Sequence, residues 1–413
     1  MFDVKRGTVL PPLPARFRLS PEFRLLVAST WVAPAAYAPA QEERIAAAAE
    51  DGIDWAAFLS LLDRHRILAL HDVLRQVLGS RLPDPVYAQL KSRKADACRQ
   101  ALLQTAELIR LNKAIRDRGI DVLPLKGTML SLQLYGDPAM RLTNDIDLLV
   151  RPEALDAADR LLQAEGYRRR YPDFELTPKR QKWIRQYHHH FVYSREDCSQ
   201  LIELHWRLYQ WRAELVAGLW NCCQPAIWMG TGFLNLDDDA LLLYLCDHGA
   251  THRWNRIKWL IDITALLAQT RNFSWERIQM LADRFDLSLG LAQAGMLVHQ
   301  LYGIPLPRPL LRLVANEKRS APLAAGAVAA MLLTEQEQRA LPARLKNAVY
   351  RIRIKRKLPG RVSVRSCWLS AEQFKECPLP DRLFWLYYPL GPLLWFHHFY
   401  IRKKTPGSQG GTR

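Results

Sequence analysis

Through the first third of the chain, apolar residues recur every three or four positions, the period of helices with one buried face. "SPEFRLLVASTWV" (20–32) opens with Ser20 at the N-cap position, Pro21 at the first helical position and Glu22 in the first turn, a strong helix start. Residues 43–78 continue the helical period with a break at Gly52, and 84–119 form a long amphipathic stretch, one helix or two, closing on Gly119. From residue 120 the period shortens. "IDVLPLKG" (120–127) predicts a short buried strand, 128–136 a short helix, "NDIDLLV" (144–150) a second strand and 151–166 a helix closing on Gly166. "GYRRRYPDFEL" is polar and ambiguous, and 188–209 alternates as a hairpin with a polar turn at 195–200. Beyond Trp211 the helical period returns, with two helices in 236–270 and one or two in 274–303, and "PLPRPLLRLV" (305–314) reads as a boundary.

The expected architecture is therefore α+β, a small mixed-sheet domain flanked by helical regions. Its parts are an N-terminal helical region (18–119), an α/β core (120–211), a C-terminal helical domain (212–338) and a basic, aromatic-rich tail (339–413).

Composition changes this picture little. The 413 residues are 49% hydrophobic and 24% charged, an ordinary globular balance. Seven scattered cysteines without CxxC spacing exclude a disulfide scaffold or a zinc knuckle and predict a reducing, cytoplasmic setting. The N-terminus lacks the apolar core and cleavage site of a secretory signal. The formal charge of +17 is concentrated at the end, where Arg339–Arg413 holds 16 Lys/Arg against 3 Asp/Glu.

Candidate chemistry begins at Asp145 and Asp147, two positions apart on one strand and so on one face, flanked by apolar residues. Two like charges there need a cation between them. Glu203 in "LIELHW" (201–206) is similarly flanked on the last strand. Three carboxylates on adjacent strands make a hard oxygen site for Mg²⁺, and two such ions can clamp a triphosphate for in-line displacement. Upstream, Gly127 permits close backbone approach and Thr128 begins a helix whose N-terminus suits phosphate, with Lys126 and Arg141 as cationic candidates.

A strand ending in Gly-Thr, a helix, then a DxD strand is the layout of the polymerase-β-like nucleotidyltransferase superfamily. Residues 122–167 further resemble the uncharacterised bacterial nucleotidyltransferase family, through a KG turn, a YGD turn, Arg141 before "DIDLLV" and a following Gly-Tyr. "IELHWRL" (202–208) is similar to that family's third-carboxylate strand and "HGATHRWNRIKWLIDI" (248–263) to its helical signature, the resemblance running from about residue 18 to 300. The resemblance implies an enzyme, a transferase that uses a nucleoside triphosphate, with ATP expected, and Mg²⁺ or Mn²⁺. Asp145, Asp147 and Glu203 are then metal ligands and catalytic, while Lys126, Gly127, Thr128, Arg141, His252 and Lys258 hold the nucleotide. It leaves open whether the acceptor is a small molecule, glycan, protein or tRNA. Two other readings stand beside it, a non-catalytic nucleotide-binding module and a toxin-like transferase acting on tRNA or protein. Three departures are visible: 17 residues between Gly127 and Asp145, a spacing shared with type IV toxin-like members; Thr128 in place of the superfamily's Gly or Ser; and Glu as the third carboxylate.

Bland alternatives accompany each residue. Lys126 can be a solvated lysine and Arg141 can pair with Asp137. His205 can be a packed core histidine, and "HHH" (188–190), whose first and third residues would share a face in a strand, is read as structural or at most as lining an acceptor site. His248 and His252 share a helix face without a third zinc ligand, and Lys258 and Asp262 are spaced for a helix salt bridge. In the tail, Leu383–Ile401 is an uncharged run of 19 residues with eight Phe, Trp or Tyr, two prolines and basic flanks. It fits peripheral contact with the inner face of a membrane better than a span, or else terminal helices packed on the protein.

Overall fold

The computed structural model describes residues 10–14, 17–31, 34–196, 198–208, 213–269, 272–340, 349–350, 353–355 and 369–396. In chain order come α1 (Pro21–Ser29), α2 (Ala38–Ala48), α3 (Trp55–His65), α4 (His71–Leu78), α5 (Asp84–Arg116), β1 (Val122–Pro124), α6 (Gly127–Tyr135) and β2 (Asp145–Val150). There follow α7 (Leu155–Ala164), β3 (Arg168–Tyr171), α8 (Pro178–Tyr187), β4 (His190–Arg195), β5 (Cys198–His205), α9 (Ala213–Trp220), β6 (Cys223–Trp228) and β7 (Thr231–Leu236). The helices α10 (Asp238–Thr251), α11 (Lys258–Gln269), α12 (Trp275–Arg284), α13 (Ser288–Tyr302), α14 (Arg308–Asn316), α15 (Ser320–Met331) and α16 (Glu335–Arg339) lead to α17 (Ala371–Glu376) and α18 (Tyr387–Phe396). The fold is α+β, with a five-stranded mixed sheet and flanking helices.

Contacts divide the chain into two units. The larger comprises Met1–Ala114, Pro124–Ile146 and Gly218–Leu358, the smaller Ile115–Leu123, Asp147–Ala217 and Pro359–Arg413. In the larger unit the cap expected at Ser20 forms, and a second closes the start of α10. Ser20 Oγ accepts from the Phe23 N–H at 3.2 Å and Asp237 Oδ1 from Ala240 N–H at 2.9 Å, each cap contributing about 1 kcal/mol. The residues from 84 to 116 form one helix, not two. The core is built by α10, α11, α13 and α15, whose leucines and alanines are buried, each fully buried Leu contributing about 1.5–3 kcal/mol. Trp254 is fully buried and donates Nε1–H to Gln293 Oε1 at 3.0 Å; the Tyr350 hydroxyl reaches the same oxygen at 2.6 Å. "PLPRPLLRLV" does not interrupt this layer: Pro307 caps α14, which packs on α13.

A hairpin and a helix were not expected. β6 and β7 pair as a hairpin inside the stretch expected to be helical. Its two-residue turn, Met229–Gly230, has positive φ at both positions, +48° and +75°, the backbone twist that joins paired strands most readily. α8, rich in Arg, Lys and Gln, also escapes the periodicity argument because only Arg180, Trp183 and Ile184 are buried.

In the smaller unit the strand order is β1-β2-β5-β4-β3. β3 pairs antiparallel with β4 and β4 with β5. Phe191, Tyr193, Ile202 and Leu204 face the core with Leu161 and Leu162 of α7. The outer strand β3 is "RRRY", a charged edge that discourages pairing with another chain. Phe374 of α17 packs edge-on against Trp183 of α8 and against Tyr387 of α18. α18 spans ten residues, and among the described residues no helix is long and apolar enough to cross a membrane. Most of the basic run 351–365, and residues 397–413, lie outside the described residues.

Candidate functional site

In the smaller unit, strand alternation turns Ile202 and Leu204 of β5 to the core and Glu203 and His205 to the other face. β2 lies beside β5 and brings Asp147, only 3% exposed, to that face. His205 Nε2 is 3.1 Å from Asp147 Oδ1 and 3.2 Å from Glu203 Oε2. Burial disfavours a charged ring, but hydrogen bonds and charge from Asp147 and Glu203 outweigh it and raise the His205 pKa to about 9. An imidazolium thus offsets one of the two carboxylate charges at neutral pH. Asp147, Glu203 and His205 each offer a ligand atom within 4.8 Å of the others. The two carboxylates supply the oxygen donors that Mg²⁺ or Mn²⁺ takes, and His205 serves them as a hydrogen-bond donor rather than as a ligand to such an ion.

The β4–β5 register sets His190 opposite His205 and Val192 opposite Glu203. The rings of His189, His190 and His205 form a group, with centroids 4.3 Å (His189–His190), 5.1 Å (His190–His205) and 5.7 Å (His189–His205) apart. Burial, then the neighbouring imidazoles, hold His190 well below its ordinary pKa, as a neutral ring. His188 and His190, the first and third residues of "HHH", both pack on Tyr171, ring centroids 5.6 and 6.4 Å away, although β4 begins only at His190. His188 Nδ1 lies 3.0 Å from the Tyr171 hydroxyl, and burial depresses its pKa to about 4.

The larger unit holds the remaining candidates. Lys126 is the extended residue before α6, and Gly127 has φ +73°. A Cβ on Gly127 would lie 3.7 Å from Thr143 Cγ2 and 3.8 Å from the Asp145 carbonyl, so conformation rather than space requires glycine there. Thr128 is buried in the first turn of α6. Thr143 Oγ1 donates to Asp145 Oδ1 at 2.6 Å, fixing that carboxylate at the head of β2. Arg141 Nε donates to Asp262 Oδ2 at 3.0 Å, and the Tyr135 hydroxyl to Asp262 Oδ1 at 2.9 Å. Asp137, the alternative partner for Arg141, pairs with Lys94. The helix salt bridge anticipated for Lys258 and Asp262 gives way to this network, and Lys258 Nζ donates to the Leu142 carbonyl at 3.2 Å. Burial, then the Arg141 charge, push Lys258 down to about 7, while Asp145 and Asp262 pull the other way. His252 ends α10 and packs, with tilted rings, against Trp259 and His248, centroids 4.9 and 4.8 Å away. Beside Thr128 an apolar cleft is lined by Leu108, Met129, Trp228 and Phe233.

Sequence reasoning missed the central position of His205, the grouping of His189 and His190, and the Tyr135–Asp262–Arg141 network. "ELHW" carried the signal for the first, since Glu203 and His205 must share a face. A register joins the histidines and tertiary packing builds the network, so no local pattern exposes either.

A glycine-led helix between two strands, followed by a DxD strand, in a small mixed sheet with flanking helices is the arrangement of nucleotidyltransferases. The chain belongs to a family described as uncharacterised nucleotidyltransferases, whose model matches residues 51–303, more than half of the chain. The matched span begins at residue 51, whereas the resemblance drawn above starts near residue 18. Among curated proteins and among solved structures nothing matches. Membership implies transferase activity with a nucleoside triphosphate as substrate.

Proposed function

We propose that the chain transfers a nucleoside monophosphate from a nucleoside triphosphate, ATP foremost, to an acceptor hydroxyl or phosphate oxygen. The observation that carries this reading is the convergence of Asp147, Glu203 and His205 in a chain of the nucleotidyltransferase family. The acceptor oxygen forms a bond to the α-phosphorus, the bond to the β-phosphate oxygen breaks, and pyrophosphate leaves. Asp147 and Glu203 are the proposed metal ligands. Asp145 joins them by its place two residues earlier on the same strand. When bound, Mg²⁺, or Mn²⁺ in its stead, supplies charge that neutralises the triphosphate and the developing leaving group. Glu203 takes the acceptor proton, and His205 orients Glu203 and Asp147 through its Nε2. Lys126, Gly127 and Thr128 cradle phosphate at the start of α6. Lys258 lends charge, and Arg141 and His252 complete the proposed nucleotide contacts.

The deciding experiment is divalent-dependent pyrophosphate release from ATP, GTP, CTP and UTP, with α-labelled nucleotide and a cell extract as acceptor source. Release and label transfer by the wild type, absent in Asp145→Asn and Asp147→Asn with the fold intact, support the reading. Full turnover by either variant refutes the site assignment. One observation favours a second reading, a nucleotide-binding module without turnover: His205 already offsets one of the two charges on Asp147 and Glu203. Nucleotide binding with neither pyrophosphate nor label transfer would select it. Growth arrest on expression, abolished by Asp145→Asn, would mark a toxin-like transferase.

A further inference from the structure

His189, His190 and His205 each offer a ring nitrogen within 4.8 Å of the others. Two observations separate this group from ordinary aromatic packing. First, His190 Nδ1 and His205 Nδ1 are buried, and neither has a hydrogen-bond partner among the described residues. A buried polar atom left unsatisfied costs about 1–3 kcal/mol, so two such nitrogens in one cluster call for something that binds both. Second, the opposite nitrogen of His205 is already held by carboxylates, 3.1 Å from Asp147 and 3.2 Å from Glu203. Carboxylates on the far nitrogen are how metal-binding histidines are typically oriented, because they fix the tautomer and make the ligating nitrogen more basic.

We propose that His189, His190 and His205 form a three-histidine site for a borderline divalent transition metal, with zinc(II) as the fitting ion. An all-imidazole donor set suits zinc and is poor for Mg²⁺ or Ca²⁺, which require oxygen. Zinc–nitrogen bonds of about 2.0–2.1 Å place tetrahedral ligands about 3.4 Å apart. One ring nitrogen of each histidine lies within 4.8 Å of the others, so binding has to draw the rings together by side-chain rotation, with Nδ1 of His205 as its ligating atom. The pairing of His190 with His205 across β4 and β5 supplies two ligands from rigid strands, and His189, just before β4, supplies the third. Three protein ligands leave the fourth position open. The site is distinct from the oxygen-rich pair Asp147–Glu203 but shares His205 with it, so zinc on one nitrogen holds the ring that orients both carboxylates through the other. This inference does not rest on nucleotidyl transfer, since a binding module with the same residues would take the metal equally.

The test uses the untagged full-length chain, stripped with chelator and titrated with cobalt(II) and zinc(II) in excess Mg²⁺. Zinc affinity is read by competition with a chromophoric chelator and geometry by the visible absorption of cobalt(II). The expected result is one equivalent bound with a tetrahedral cobalt spectrum. His189→Ala and His190→Ala should each weaken zinc more than tenfold and abolish that spectrum, while His299→Ala changes neither. Asp147→Asn should keep the spectrum and weaken zinc by about 10- to 100-fold, the usual effect of removing a group that supports a ligand. If His190→Ala loses its near-ultraviolet circular dichroism, His189→Gln, outside the strand, decides. The proposal is overturned if the wild type binds neither ion, or if His189 and His190 variants bind as the wild type does while Glu203→Gln loses binding. That second pattern would make the carboxylates the ligands.

Discussion

Replacing Asp262 by Asn removes one charge from a pair in which the Arg141 side chain is 4% exposed and the Asp262 side chain 2%. The substitution retains an oxygen for the Tyr135 hydroxyl, 2.9 Å from Asp262 in the wild type. What it removes is the Asp262 charge that faces the buried Arg141 guanidinium and that also favours the charged form of nearby Lys258. Breaking a buried ion pair in this way costs about 3–5 kcal/mol, a quarter or more of the stability of a typical domain. Arg141→Met together with Asp262→Leu removes both charges and should cost far less than the sum of the single changes, with a coupling of about 2–3 kcal/mol. Equilibrium urea unfolding measures both, as a fall in midpoint at constant slope. A cost below about 1 kcal/mol for Asp262→Asn, or a coupling near zero, would refute the argument that this pair frames the larger unit. The same variants probe the nucleotide contact proposed for Arg141. Pyrophosphate release lost in Arg141→Met and recovered in the double variant would make Arg141 a framing residue. Loss that persists in the stable double variant would keep it at the phosphates.

His65 is buried, with its Nδ1 accepting from the Ile257 N–H at 3.1 Å, and burial followed by the Arg64 and Arg256 charges pushes its pKa down to about 3. The unfolded chain binds a proton at His65 below about pH 6.5 while the folded chain does not, so stability should fall by about 1.4 kcal/mol per unit between pH 6.5 and 3 from this residue. His65→Asn should remove that slope from pH-dependent urea unfolding; an unchanged slope would exclude His65 as its source. Lys258, depressed to about 7, should take up a proton when a triphosphate binds at pH 8, read by calorimetry in buffers of differing ionisation enthalpy. Equal uptake in Lys258→Met would contradict its role. A Cβ on Gly249 would fall within the Trp254 ring, which Gln293 anchors, so Gly249→Ala should destabilise by at least about 2 kcal/mol. At Gly326, in α15, a Cβ meets nothing within 4 Å, and Gly326→Ala should stabilise by about 0.5–1 kcal/mol in the same thermal or urea assay.

Local patterns alone determined the helix starting at Pro21, the strand carrying Asp145 and Asp147, the glycine-led turn into α6 and the face shared by Glu203 and His205. Each depends on residues a few positions apart, through the 3.6-residue and two-residue periods and through backbone conformations that only certain residues tolerate. The hairpin of β6 and β7 left a faint local sign, Met-Gly between alternating residues, outweighed by the helical segments around it. The tertiary structure alone decided what faces what. Arg141 meets Asp262 across 121 positions of sequence, because helix packing rather than spacing brings α11 to the turn before β2. His190 meets His205 because the β4–β5 pairing holds one register from His190 to Tyr193; a shift by one residue there would turn those side chains to the other face and dissolve the cluster. The assembled surroundings then chose the protonation states, a His205 kept charged by its carboxylates against burial and a His190 kept neutral by burial and the neighbouring imidazoles, because the free energy of a charge depends on surroundings that residues distant in sequence assemble.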